Sequence, residues 1–277
     1  MHYIIQENTF REQHYNLMFE VLNRLGLPYT VVRVFPFISK VVKLSDIPEG
    51  PFNVDDVPEF EPNMPNIFIF GSLTLAKVGR DKGWKPGSLM NANHDFAVYS
   101  KHYGDNLLNF DSKVQLLGDI ITWEPDEIKF IRPTEDTKTF TGQLFNRQEW
   151  EDTKENYLHN YRSTNFNETT PIQVAKPKNI YKEIRFWVVD GKIITGSQYR
   201  LGRNVVYNNI YEQEAVDFAQ KMVDIFQLAE AFVIDVCLTD NGWKIVECGC
   251  INCAGFYKSD LQKIIMAVED KFDGRID

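Results

Sequence analysis

Apolar residues recur along this chain in two rhythms. Between residues 10 and 25, Tyr15, Met18, Phe19, Leu22 and Leu25 return every three or four positions, the spacing of one helix face, and Gly26 stands where such a helix would stop. Residues 3–6 and 29–34 form short β-type runs, the second rich in β-branched side chains. A polar, proline-bearing stretch fills 45–65, and residues 66–70 then make an apolar strand leading through Gly71-Ser72 into a helical segment at 73–78. This alternation predicts a small α/β unit with a parallel sheet. Gly71-Ser72 reads either as a helix cap or as backbone N–H groups presented to an anion. Residues 84–109 are aromatic and glycine-bearing without a clear period, and they stay unassigned.

A boundary is expected near residue 115, giving units at 1–115 and 116–272 and a polar tail at 273–277. The second unit starts with a strand at 128–132, an acidic helix at 148–161 and a short strand at 172–175. Two hairpins follow, separated by a helix at 212–226, and a last helix covers 260–271.

In the first hairpin, apolar runs flank Asp190-Gly191, which favours a two-residue type I′ turn. That turn would pair Arg185 with Gly196 and Glu183 with Gln198. Glu183, Arg185, Gln198 and Arg200 then share one face, and Ile184, Phe186, Val188 and Ile193 the other. The charged face is either a solvated surface or a phosphate site. Gly196 opposite Arg185 would leave room over the sheet, and arginine's planar fork suits phosphate oxygens.

The second hairpin buries Asp235 and Glu247 within apolar strands, where an unpaired carboxylate is expensive. A three-residue loop, Asp240-Asn241-Gly242, sets Asp235 opposite Glu247; a two-residue Asn241-Gly242 turn sets it opposite Cys248. The first register makes a hard-oxygen site suited to Mg²⁺ and bound phosphates, with Asn252 as a further neutral oxygen ligand. A neighbouring Arg or Lys would satisfy either carboxylate equally well.

Composition narrows the class. The 277 residues are 43% hydrophobic and 25% charged, ordinary for a globular protein, with a core built on large rings. A net charge of -9 argues against a nucleic-acid-coating surface. No run approaches the ~20 apolar residues of a membrane span, and the first residues lack the parts of a signal peptide. Cys237, Cys248, Cys250 and Cys253 cluster late, unlike a disulfide framework, which points to the cytoplasm. Their irregular spacing also fits buried free thiols better than a structural zinc site.

The order Arg132-Pro133, Lys138-Thr139-Phe140-Thr141-Gly142, Glu183-Ile184-Arg185, Gly196 through Arg200, Val233-Ile234-Asp235-Val236, Val246-Glu247 with Asn252, and Gly255-Phe256-Tyr257 resembles the ATP-grasp superfamily. The likeness is greatest to the clade named for two arginines and one lysine, found in bacteria and their phages, and covers residues 120–270. It implies a mixed α/β and α+β protein, with an N-terminal α/β pre-ATP-grasp domain and two lobes linked near 172–176. ATP would lie between the lobes, its adenine against Gln173, Val174 and Ala175. Lys138, assisted by Arg132, would hold phosphate oxygens, with Glu183 among the nucleotide-binding residues. Arg185 and Arg200 would steady the γ-phosphate and an acyl-phosphate, and Asp235, Glu247 and Asn252 would hold Mg²⁺. The implied activity joins a carboxylate to an amine of an amino acid, peptide or protein. A small-molecule kinase and a non-catalytic nucleotide-binding partner protein are the alternatives. There are two departures from the family pattern: Gly249 stands where many members carry Asn, and the glycine-rich phosphate loop shrinks to Thr141-Gly142.

Overall fold

A computed structural model describes residues 1–7, 15–134, 142–160 and 167–272. The chain opens with β1 (His2–Gln6), α1 (Tyr15–Leu25), β2 (Tyr29–Phe35), β3 (Lys40–Lys43), β4 (Ile67–Phe70), α2 (Leu73–Asp81) and β5 (Pro86–Gly87). These strands form one sheet in the order β3-β2-β1-β4-β5. Strand β1 runs parallel to β2 and β4, and β5 is parallel to β4, as the strand–helix alternation predicts; β3 returns antiparallel. Helix α1 buries Met18, Val21 and Leu22 and stops at Gly26, whose φ of 68° suits glycine. At Gly71-Ser72 the cap reading holds. The Ser72 hydroxyl accepts from Leu75 N–H at 3.4 Å, while the Gly71 and Ser72 N–H groups donate to the Asn252 carbonyl and Gln6 Oε1.

The unassigned region contains α3 (Phe96–Tyr103), held by its buried rings Phe96, Tyr99 and Tyr103. An eight-residue helix is too short to show a period, so tertiary packing defines it. Next come β6 (Lys113–Leu116), β7 (Lys129–Pro133), β8 (Gln143–Phe145), α4 (Arg147–Asn160) and β9 (Pro171–Ala175). They build an antiparallel sheet ordered β6-β9-β7-β8, with its own core of Leu117, Ile121, Ile131, Phe145, Trp150, Ile172 and Val174.

The last sheet joins β10 (Lys182–Val189), β11 (Lys192–Leu201), β12 (Asn204–Asn208), β13 (Ala231–Thr239) and β14 (Gly242–Cys250) in the order β12-β11-β10-β13-β14. Between them lies α5 (Gln213–Ile225), and α6 (Leu261–Phe272) follows. On one face Ile184, Phe186, Val188, Phe232, Ile234 and Val236 pack on α5 and α3. The opposite face is apolar at one end and polar at the other. Trp187, Val189, Ala231 and Val233 pack there on α6, α1 and the first sheet. Glu183, Arg185 and Asp235 continue the same alternation and are buried as well. Among the described residues no helix is long and apolar enough to cross a membrane.

Two β-bulges correct the expected first register. The Asp190-Gly191 turn forms as predicted, with both residues at positive φ and Val189 paired with Lys192. An irregularity between Trp187 and Val188 then shifts the strands, pairing Arg185 with Ser197 and Phe186 with Gly196. Gly196 therefore makes room for a core ring: a Cβ there would meet Phe186 Cδ1 at 2.5 Å. Gln198 pairs with Ile184, off the charged face, and a second irregularity returns Arg200 opposite Glu183. In the second hairpin neither anticipated loop forms. Thr239 pairs with Gly242 around Asp240-Asn241, and a bulge between Asp235 and Val236 brings Asp235 opposite Glu247.

Candidate functional site

The bulges align one row across four strands: Ser197 on β11, Arg185 on β10, Asp235 on β13 and Glu247 on β14. Cross-strand partners point to the same side of a sheet, so the row is a ladder of polar groups on the face away from α5. Arg185 forks onto Asp235, with Nε to Oδ1 and Nη2 to Oδ2 both at 2.8 Å. Its Nη2 lies 3.9 Å from Glu247 Oε1, and its Nη1 donates to the Gly255 carbonyl at 3.3 Å. One strand pair further along, Arg200 Nη1 meets Glu183 Oε1 at 2.9 Å, and Tyr199 Oη donates to Glu183 Oε2 at 2.6 Å.

The middle sheet reaches this ladder through Arg132 on β7, whose Nη2 lies 2.6 Å from Glu247 Oε2. Gln173 pairs with Arg132 on the neighbouring strand and is buried, as are Val174 and Ala175. Beside β7 on its other edge, Gly142 packs close to Phe130 and Arg132; a Cβ there would come 2.9 Å from Arg132 Cβ. Lys138 and Thr141 lie outside the described residues.

Three guanidiniums thus face three carboxylates: the Arg185–Asp235 pair is buried, Arg132 and Glu247 are partly exposed, and a half-exposed Arg200 caps the buried Glu183. Burial lifts the Asp235 carboxyl above its usual range, the Arg185 fork opposes that lift, and Glu247 adds to it. Glu183 is also raised, by burial first, against the pull of Tyr199 and Arg200. Burial disfavours charge on Arg185, yet Asp235 holds its pKa well above the ordinary value, so the guanidinium stays charged. Such a balanced cluster can exchange partners: phosphate oxygens can take the guanidiniums while the released carboxylates take a hard cation.

Asn252 is committed elsewhere. Its Oδ1 accepts from Leu89 N–H at 2.8 Å, and its Nδ2 donates to the Ile69 and Gly87 carbonyls at 2.8 and 3.1 Å. Wholly buried, it ties the last sheet to the first. The expected third metal ligand is therefore a structural pin. The four cysteines are buried and free; Cys248 pairs with Ile234 on the core face, while Cys237 pairs with Glu183 on the other. Among the described residues no group of three or more His, Cys, Asp or Glu is arranged to hold a metal ion.

Sequence reasoning missed the tyrosines over Arg185. The Tyr257 ring centroid lies 4.9 Å from the guanidinium carbon and that of Tyr199 5.9 Å. Their signal was their position beside charged residues at the end of the hairpin and in the loop after Asn252.

An antiparallel sheet and a charged sheet face meeting through Arg132 and Glu247, behind a parallel α/β sheet, define an ATP-grasp fold. The chain belongs to an ATP-grasp domain family, the third of the clade named for two arginines and one lysine, whose sequence pattern matches residues 48–268. Solved structures share the architecture over nearly their whole length. The D-alanine–D-alanine ligase from Bacillus anthracis complexed with ATP superposes with a TM-score of 0.61 at 10% identity, covering 98% of this chain and 96% of that one. D-cycloserine synthetase DcsG gives 0.61 at 9% identity, covering 99% and 100%. The ATP-grasp ligase PsnB complexed with minimal precursor gives 0.52 at 10% identity, covering 98% of each. No curated protein matches the chain in sequence.

Proposed function

We propose that this chain is an ADP-forming carboxylate–amine ligase that works through an acyl-phosphate. The carrying observation is that Asp235 stands opposite both Arg185 and Glu247, which joins phosphate-type and metal-type side chains in one row. The solved ligases of the same fold support the reading, among them a PsnB complex with Mg and ADP.

In this reading Arg132 on the middle sheet holds the triphosphate together with Lys138, and Gln173, Val174 and Ala175 line the adenine. Arg185 and Arg200 steady the transferring phosphoryl group and then the acyl-phosphate, while Glu183 orients Arg200. Asp235 and Glu247 fit Mg²⁺: they are paired hard-oxygen donors, and Mg²⁺ usually takes one or two carboxylates with phosphate oxygens and water. When bound, the ion supplies positive charge that offsets the charge spreading over the phosphoryl group. Asn252 is left out of this set because its amide is already engaged. A carboxylate oxygen attacks the γ-phosphorus as ADP leaves. The amine nitrogen then attacks the acyl carbon, loses its proton, and phosphate departs.

The test is incubation with ATP, Mg²⁺ and pooled amino acids or short peptides. ADP and phosphate should appear in step with a condensation product in the mass spectrum. AMP with pyrophosphate would overturn the proposal, and a stable phosphorylated product would make the protein a kinase.

A further inference from the structure

The loop between β14 and α6 holds an aromatic side chain in a backbone conformation that it ordinarily avoids. Tyr257 has φ of 51°, in the left-handed region where a bulky residue is an outlier. Such conformations persist only where the surroundings over-determine them, and they gather at functional sites. Here the surroundings are explicit. Lys258 N–H donates to the Ser197 hydroxyl at 3.1 Å and Asp260 N–H to the Thr195 hydroxyl at 3.2 Å, stapling the loop to β11. On the loop's other side Arg185 donates to the Gly255 carbonyl.

The staples hold the Tyr257 ring against two others. Its centroid is 5.1 Å from Tyr199 with planes 30° apart, and 5.1 Å from Tyr207 with planes 14° apart. The same ring is nearer than that of Tyr199 to the Arg185 guanidinium carbon. An arginine over an aromatic face is attracted by the ring's quadrupole, and the attraction grows when water is excluded. Burial first, with Asp235 and Glu247 adding to it and Arg185 opposing, pushes the Tyr257 phenol up to about 12, so the ring stays neutral.

We infer that Tyr257 is a positioning residue for Arg185. Resting on the ligase reading, its role is to fix the plane of the guanidinium when phosphate oxygens replace Asp235 as its partner. The fork–fork bond to Asp235 orients Arg185 while that pair is intact. Once the pair opens, the Tyr257 face and the Gly255 carbonyl remain, and the stapled loop keeps both in place. The ring matters and the hydroxyl does not, so Tyr257→Phe should behave as the wild type.

The test is a double-mutant cycle on MgATP affinity, measured by calorimetry with the full chain. Tyr257→Ala should weaken binding about tenfold. Tyr257→Phe should stay within about twofold of wild type. In an Arg185→Lys background, where no planar fork remains, Tyr257→Ala should have little further effect. Unchanged affinity in Tyr257→Ala, or effects of the two substitutions that simply multiply, would overturn the inference. A phenylalanine variant as weak as the alanine one would also overturn it. Wild-type protein that fails to bind MgATP would instead sink the ligase reading, and this inference with it.

Discussion

Arg132 and Glu247 belong to different sheets, yet their side chains meet at 2.6 Å. Glu247 also opposes Asp235 on its own sheet, so one carboxylate connects the middle sheet to the buried ladder. Glu247→Gln is expected to lower MgATP-dependent turnover by about a hundredfold or more, the scale seen when one preorganised electrostatic group is lost. Arg132→Ala should mainly weaken nucleotide binding. Equal, small effects from both would contradict this division of roles.

Asp235→Ala removes one partner of a buried bidentate pair and strands the Arg185 charge. Breaking such a pair costs about 3–5 kcal/mol, because the remaining ion stays desolvated. Urea unfolding monitored by tryptophan fluorescence should show that loss. A cost below about 1 kcal/mol would mean that water reaches the pair freely.

Gly196→Ala separates the core role of that glycine from a ligand role. The added methyl would sit 2.5 Å from Phe186 Cδ1, an overpacking that costs about 1–3 kcal/mol. MgATP affinity should not change, since Phe186 packs on the face away from the ladder. Stable protein with lost affinity would restore the sequence expectation.

The pH dependence of stability follows from Glu183. Burial raises its folded pKa above the ordinary 4.5, so the folded state holds the proton longer than the unfolded chain does. Its contribution is fully present below the unfolded value and is lost as pH rises through the folded one. Relative to Glu183→Gln, the wild type should therefore lose melting temperature as pH climbs above about 4.5. A difference that stays constant across that window would remove Glu183 as the source.

The sequence made the elements legible, and with them the residues of the ladder, but not how they lock together. The Asp190-Gly191 turn was readable because only a few residues accept positive φ at both positions. The irregularities at Trp187 and Asp235 were not, since a bulge is decided by what packs on the neighbouring strands. One residue of shift was enough to turn Gly196 from apparent ligand space into ring space. Asp235 opposite Glu247 was reached for a different reason from the one its loop suggested. Asn252 looked like a ligand because an amide near two carboxylates is chemically apt; beside the nearby Cys250 thiol, its partners are backbone groups more than 160 residues away in sequence, which no local pattern reveals.

That amide has a consequence for how a nucleotide enters. By clasping Ile69, Gly87 and Leu89, Asn252 welds the opening sheet to the closing one, and the two also share a common core. The middle sheet keeps a separate core and touches the ladder through Arg132. The middle sheet is therefore expected to move in a jaw-like opening, with the other two sheets as a single anvil. Hydrogen exchange should show β7, β8 and β9 gaining protection on MgATP addition while β1 and β4 stay unchanged.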